Sequence, residues 1–220
     1  MNRAAAGLLF FFLAGAPLAA QEKAAAPSDD PLLLQRRLAM VLRQSTKHYE
    51  AGEYQAALDR LGALPGALGQ DLSALNLRGA ILTKTGNYAE ALQIFEAILA
   101  TDPNYFPAAF NLGEVQFVQG NHAGALDTFQ RIRRRDPRNE LVRFKVLLCH
   151  LMLGQQDEAE RLAAGLIPAG STPAWYYAQA MLARKTGDEA RARKHLSMAR
   201  SIYEDDGCKL FDDSLTNVKF

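Results

Sequence analysis

Glycines recur in this chain at positions 52, 86, 120, 154 and 187, so the spacing is 34 residues three times and then 33. No other feature constrains the fold as much. A period of this length means one supersecondary unit copied in tandem, each copy unable to bury its apolar face alone and obliged to stack on its neighbours. Aligning Leu72–Tyr105 with Phe106–Asn139 gives 11 identities in 34 positions. Most fall in "GNYAEALQIFEAILATDP" and "GNHAGALDTFQRIRRRDP", where Gly, Ala, Phe and Pro keep their offsets while the residues between them change.

Each unit reads as two helices. In the third, "FPAAFNLGEVQFVQ" forms the first, Gly120-Asn121 breaks it, "HAGALDTFQRIRRR" forms the second, and Pro137 stops the pair because proline cannot continue a helix. Gly120 permits a turn at positive φ. Gly113 and Ala125 are small enough for the paired helices to approach closely, and Phe129 fills the space between pairs.

This unit resembles the tetratricopeptide repeat, whose pattern runs W-x2-L-G-x2-Y, then A-x3-F, then P. The third unit supplies Leu112-Gly113, Ala125, Phe129 and Pro137, and the second supplies Gly79, Ala91, Phe95 and Pro103. The first keeps Tyr54 and Ala57 with Leu61 at the aromatic position; the fourth keeps Ala159 but has Ala163 where Phe belongs; the fifth keeps Ala180, Ala192, Leu196 and Ala199. The resemblance implies an all-α fold: a right-handed α-solenoid of about five helix-turn-helix units. It is strong for fold and weak for any one function. The segment "GCKLFDDSLTNVKF", 207–220, starts like another first helix and stops. Leu210, Phe211 and Leu215 are spaced to cover an exposed apolar end, so a C-terminal capping helix is expected there.

The first twenty residues, "MNRAAAGLLFFFLAGAPLAA", have a different character. Arg3, an unbroken apolar run and the small residues ending at Ala19-Ala20 describe a secretory signal peptide cleaved after residue 20. Residues 21–31 then read as a flexible lead-in, 32–206 as the repeat array and 207–220 as the cap. After cleavage no integral membrane segment is expected, and 24 basic residues face 24 acidic ones. That balance offers no bulk attraction for nucleic acid or an anionic membrane. Cys149 and Cys208 are the only cysteines. Export would permit a disulfide, but Cys149 falls in an apolar helical run nearly two repeats away, so two separate thiols are the preferred reading.

Convergent reactive groups are missing from the pattern. The histidines at 48, 122, 150 and 195 are scattered, and no HExxH, CxxC, G-x-S-x-G or glycine-rich phosphate loop occurs. The chain is therefore read as a non-enzyme with no cofactor and no metal. Arg131, Arg133, Arg134, Arg135 and Arg138 form the densest charge run. They could dock acidic protein segments or lipid phosphates, or simply complement the negative end of a helix dipole, which is the preferred reading.

The resemblance also implies a concave surface lined by the first helix of each unit. Its expected partner-binding residues are Phe110, Glu114 and Phe117 in the third unit, Phe144, Leu148 and Met152 in the fourth, and Tyr177 and Met181 in the fifth. Lys84, Arg184 and Lys185 flank this apolar stretch. Aromatic and methionine side chains suit an adaptable peptide-binding surface; cover by a terminal segment is the competing reading. The family's chaperone-tail clamp is not matched, since its positions hold Asn76, Ala80, Asn111, Leu141 and Lys145. The expected function is a protein-protein interaction adaptor or scaffold, periplasmic in a bacterial cell envelope, with a protein or peptide partner. Self-association into a homo-oligomer, or holding an envelope-biogenesis enzyme, are the alternatives.

Overall fold

The computed structural model describes residues 30–168, 170–216 and 218; the expected signal peptide and all of the lead-in before Asp30 lie outside them. Among the described residues there are ten α-helices and no strand: α1 (Pro31–Glu50), α2 (Tyr54–Gly62), α3 (Leu72–Lys84), α4 (Tyr88–Thr101), α5 (Phe106–Val118), α6 (His122–Arg135), α7 (Glu140–Met152), α8 (Gln156–Ala164), α9 (Ala174–Lys185) and α10 (Glu189–Leu215). Successive helices pair as five antiparallel units, and α1 touches α3, α3 touches α5 and α7 touches α9, so first helices stack on first helices. This is the right-handed α-solenoid that the 34-residue period predicts.

The period has a local cause. Gly52, Gly86, Gly120, Gly154 and Gly187 all sit at φ between 74° and 81°. At each of them the same pair of backbone bonds closes the first helix. In the third unit Gly120 N–H donates to the Phe117 carbonyl at 3.0 Å and Asn121 N–H to the Gln116 carbonyl at 2.9 Å; the other four turns repeat this. A left-handed residue flanked by these two bonds is the Schellman ending, and glycine takes it without a Cβ penalty. Two histidines reinforce equivalent turns: His48 Nδ1 pairs with Glu53 at 2.5 Å and His150 Nδ1 with Gln155 at 2.6 Å. Both side chains bridge the turn of their own unit.

Packing within a unit depends on a small residue facing a ring. A Cβ built on Gly79 would lie 2.6 Å from the Phe95 ring, and one on Gly113 would lie 2.7 Å from Phe129. Both rings are fully buried, as are Ala57, Ala91, Ala125, Ala159 and Ala192, the alanines at one repeat position. Burial divides into three clusters in chain order, joining units one and two, units two and three, and units three to five with the C-terminal helix. Such a core is built by neighbours and not by long-range contacts.

The capping helix is present, but its boundary and cover differ from the expectation. The break falls at Glu204, within the span of α10, and not at Gly207. Glu204 has φ 58° and ψ 176°, a backbone region suited to glycine, at a cost of about 1–3 kcal/mol. Leu210 is 60% exposed, whereas Phe211 is buried and Leu215 half-buried, and Cys208 and Ser214 complete the buried face.

Candidate protein-binding groove

The first helices present their facing side chains to a concave surface, and the segment 205–215 lies across it. Phe211 packs its ring 5.4 Å from Phe144 and 5.3 Å from Tyr177. Tyr177 O–H donates to Asp212 Oδ1 at 2.6 Å, and Arg200 Nη2 donates to the same oxygen at 3.1 Å. Burial, with the Asp212 carboxylate accepting its proton, holds the Tyr177 phenol far above its usual range. Phe144, Leu148, Tyr177 and Met181 are therefore buried with Cys208 and Phe211 in one cluster, with Met152 half-buried against it. These five residues do not form the open groove that their repeat positions imply; the chain's own helix covers Phe144 and Tyr177 directly.

Phe117 also departs from its expected place. Its ring lies 4.9 Å from that of His122 at the start of α6, and only 5% of the residue is exposed. It fills the corner between α5 and α6. Of the eight expected groove residues, Phe110 and Glu114 alone line the open part, a cavity of about 350 Å³. Its other walls are Tyr49 from α1, Thr83 and Lys84 from α3, Tyr88 from α4, Lys145 from α7, and Leu210, Asp213 and Thr216 from the crossing helix. The helix thus spans from the last units toward the first.

Two polar pairs link adjacent first helices at this cavity, while Glu114 Oε1 is buried without a hydrogen-bond partner. Lys145, 4% exposed, donates from Nζ to Glu114 Oε2 at 2.6 Å, with the ammonium 5.8 Å from the Phe110 ring centroid. Asn111 Nδ2 donates to Asn76 Oδ1 at 3.0 Å. Three of the positions that hold a carboxylate in the chaperone-binding relatives are therefore satisfied internally, in agreement with the incomplete motif. The Glu114–Lys145 pair was legible only as two charges at facing positions of adjacent units. The crossing of Asp212 and Asp213 over the groove had no signal beyond the tail's apolar spacing.

The arginine run does not make one patch. Arg131 pairs with Asp127 at 3.3 Å, Arg135 donates to the Pro103 carbonyl at 2.7 Å, and Arg133 is half-buried beside His150 and Glu158, while Arg134 and Arg138 face solvent. Arg133 and Arg135 reach neighbouring units, Arg131 pairs within its own helix, and the other two extend into water. Both cysteines are buried and free. Burial pushes the Cys149 thiol up to about 12. Its reaction with a small disulfide reagent at pH 8 is therefore expected to be at least roughly a hundred-fold slower in the folded chain than in denaturant, as stopped-flow absorbance would show.

Comparison with known proteins agrees with this geometry. Two tetratricopeptide-repeat family models match, over residues 42–106 and 82–148. The chain belongs to the tetratricopeptide-repeat family. A thermophilic repeat protein from Thermus thermophilus is 23% identical with a TM-score of 0.65, covering 82% of this chain and 98% of that one. A repeat protein from Parabacteroides merdae is 19% identical with a TM-score of 0.64, covering 80% and 70%. The protein MamA, residues 41 to the end, from Desulfovibrio magneticus is 20% identical with a TM-score of 0.56, covering 76% and 94%. At these identities the likeness concerns the fold. No curated protein matches the sequence. The family makes this repeat array a protein-interaction scaffold. No helix among the described residues is long and apolar enough to cross a membrane.

Proposed function

We propose that the chain is a non-enzymatic adaptor of the bacterial cell envelope that holds a short helical or extended segment of a partner protein in its concave groove. One observation supports the reading above the others: the groove already accepts a helix, with Phe211 inserted between Phe144 and Tyr177 and an acid fixed by Tyr177. A partner would use the same recognition, an aromatic anchor on an amphipathic segment, and reach the cavity beside Phe110 that the resident helix leaves open.

The location rests on the leader. If residues 1–20 direct export, intact mass and N-terminal sequencing of the protein from cells will give a mature chain starting at Gln21, recovered in the periplasmic fraction. An intact Met1 in the cytosol would overturn the location. For the groove, a photo-crosslinking residue at position 110 should capture a discrete partner in the native envelope, whereas one at Arg134, exposed on α6, should not. Equal capture from both positions would sink the groove reading.

A further inference from the structure

The groove's occupant and the strain beside it belong together. The segment beyond Glu204 offers a narrow apolar face, with Cys208 and Phe211 buried and Leu215 half-buried, at i, i+3 and i+7. Asp212 lies beside that stripe on Tyr177 and Arg200. The chain reaches this arrangement only by breaking α10 at a glutamate with positive φ. If Glu204 became helical, residues 189–215 would form one continuous rod and the strain would disappear. The rod would then carry Phe211 away from its own groove, leaving Phe144 and Tyr177 uncovered. A second copy offers both an identical helix for the vacated groove and an identical groove for the released helix.

We propose that the groove's trans ligand is the C-terminal helix of a second copy of this chain, exchanged about Glu204 to give a reciprocal dimer. The contacts made in the closed monomer and in the exchanged pair are the same, so the balance is set by two terms. Association entropy favours the monomer at low concentration, and relief at two hinges favours the pair. Two-fold closure fills both grooves and leaves no end for further growth. The proposal deepens the adaptor reading by naming one occupant of the same groove, and it makes that occupant a competitor of any other partner.

Sedimentation of the mature full-length chain across micromolar to millimolar concentrations provides the test, with Glu204→Gly and Phe211→Asp variants alongside. Glycine accepts the closed hinge freely and disfavours the continuous helix, so E204G is expected to raise the dimer dissociation constant at least about ten-fold. F211D, which removes the anchor, should abolish the dimer, and circular dichroism will report whether its helices persist. A wild-type chain that stays monomeric throughout overturns the proposal. So does a dimer whose dissociation constant E204G leaves unchanged, because such a dimer uses another surface. A monomer that still crosslinks a foreign partner at position 110 would refute exchange alone. A dimer that crosslinks only to itself there would support exchange and refute the foreign-partner adaptor.

Discussion

Phe144→Ala is expected to lower stability by about 3–5 kcal/mol and to release the C-terminal helix before the rest of the array unfolds. Phe144 is fully buried, with its ring 6.1 Å from Tyr177 and 5.4 Å from Phe211. Truncation removes the wall against which Phe211 rests, and the surrounding helices cannot collapse into the space without shifting α7 against α9. In a solenoid the damage stays near its origin, since each unit's stability depends on its neighbours. Amide exchange should therefore lose protection over 205–215 first, then over α9, with α3 to α6 changing least. Phe106→Ala is the contrasting control. Phe106 is 43% exposed at the start of α5, so its loss should cost less than about 1 kcal/mol. Uniform loss of protection across all five units would show that the capping helix is not held as described.

The fold was almost wholly legible because its determinants are local and repeated. A left-handed glycine and two backbone bonds fit within one unit and recur five times, and the second and third units add glycine under a ring. The groove was legible only as a list of facing positions. Repeat position predicts where Phe144 and Tyr177 point, but the ring that covers them comes from one non-repeated segment that returns from Glu204 over the concave face. No periodicity marks that return. Phe117 failed for a smaller reason: His122 follows closely after the turn, and its ring offers Phe117 an apolar contact within its own unit. The polar residues of the cavity were individually visible, but the pairing of Glu114 with Lys145 requires two first helices side by side.

The fourth unit departs from the motif in sequence and follows it in volume, which leads to the second large effect. Where the second and third units place glycine under phenylalanine, the fourth has Leu147 and Ala163, both fully buried in one cluster. The bulk has moved from the second helix to the first. Ala163→Phe alone is expected to overpack this site and cost about 1–3 kcal/mol. Leu147→Gly alone should cost about 3–6 kcal/mol, combining an unfilled cavity with glycine's penalty inside a helix. The double variant restores the ring-over-glycine arrangement seen at Gly113 and Phe129, where the fit leaves no room for a Cβ. It should therefore be more stable than the sum of the single changes by about 2 kcal/mol, the size of coupling found between residues in direct contact. Urea denaturation of the four proteins in the cycle measures that difference. Simple additivity would mean that Leu147 and Ala163 do not share one space, and that the fourth unit pairs its helices differently from its neighbours. A positive coupling would show that the unit's departures from the motif compensate one another. Its first helix is then left rigid enough to carry Phe144, Lys145 and Leu148 toward the concave face on which the crossing helix rests.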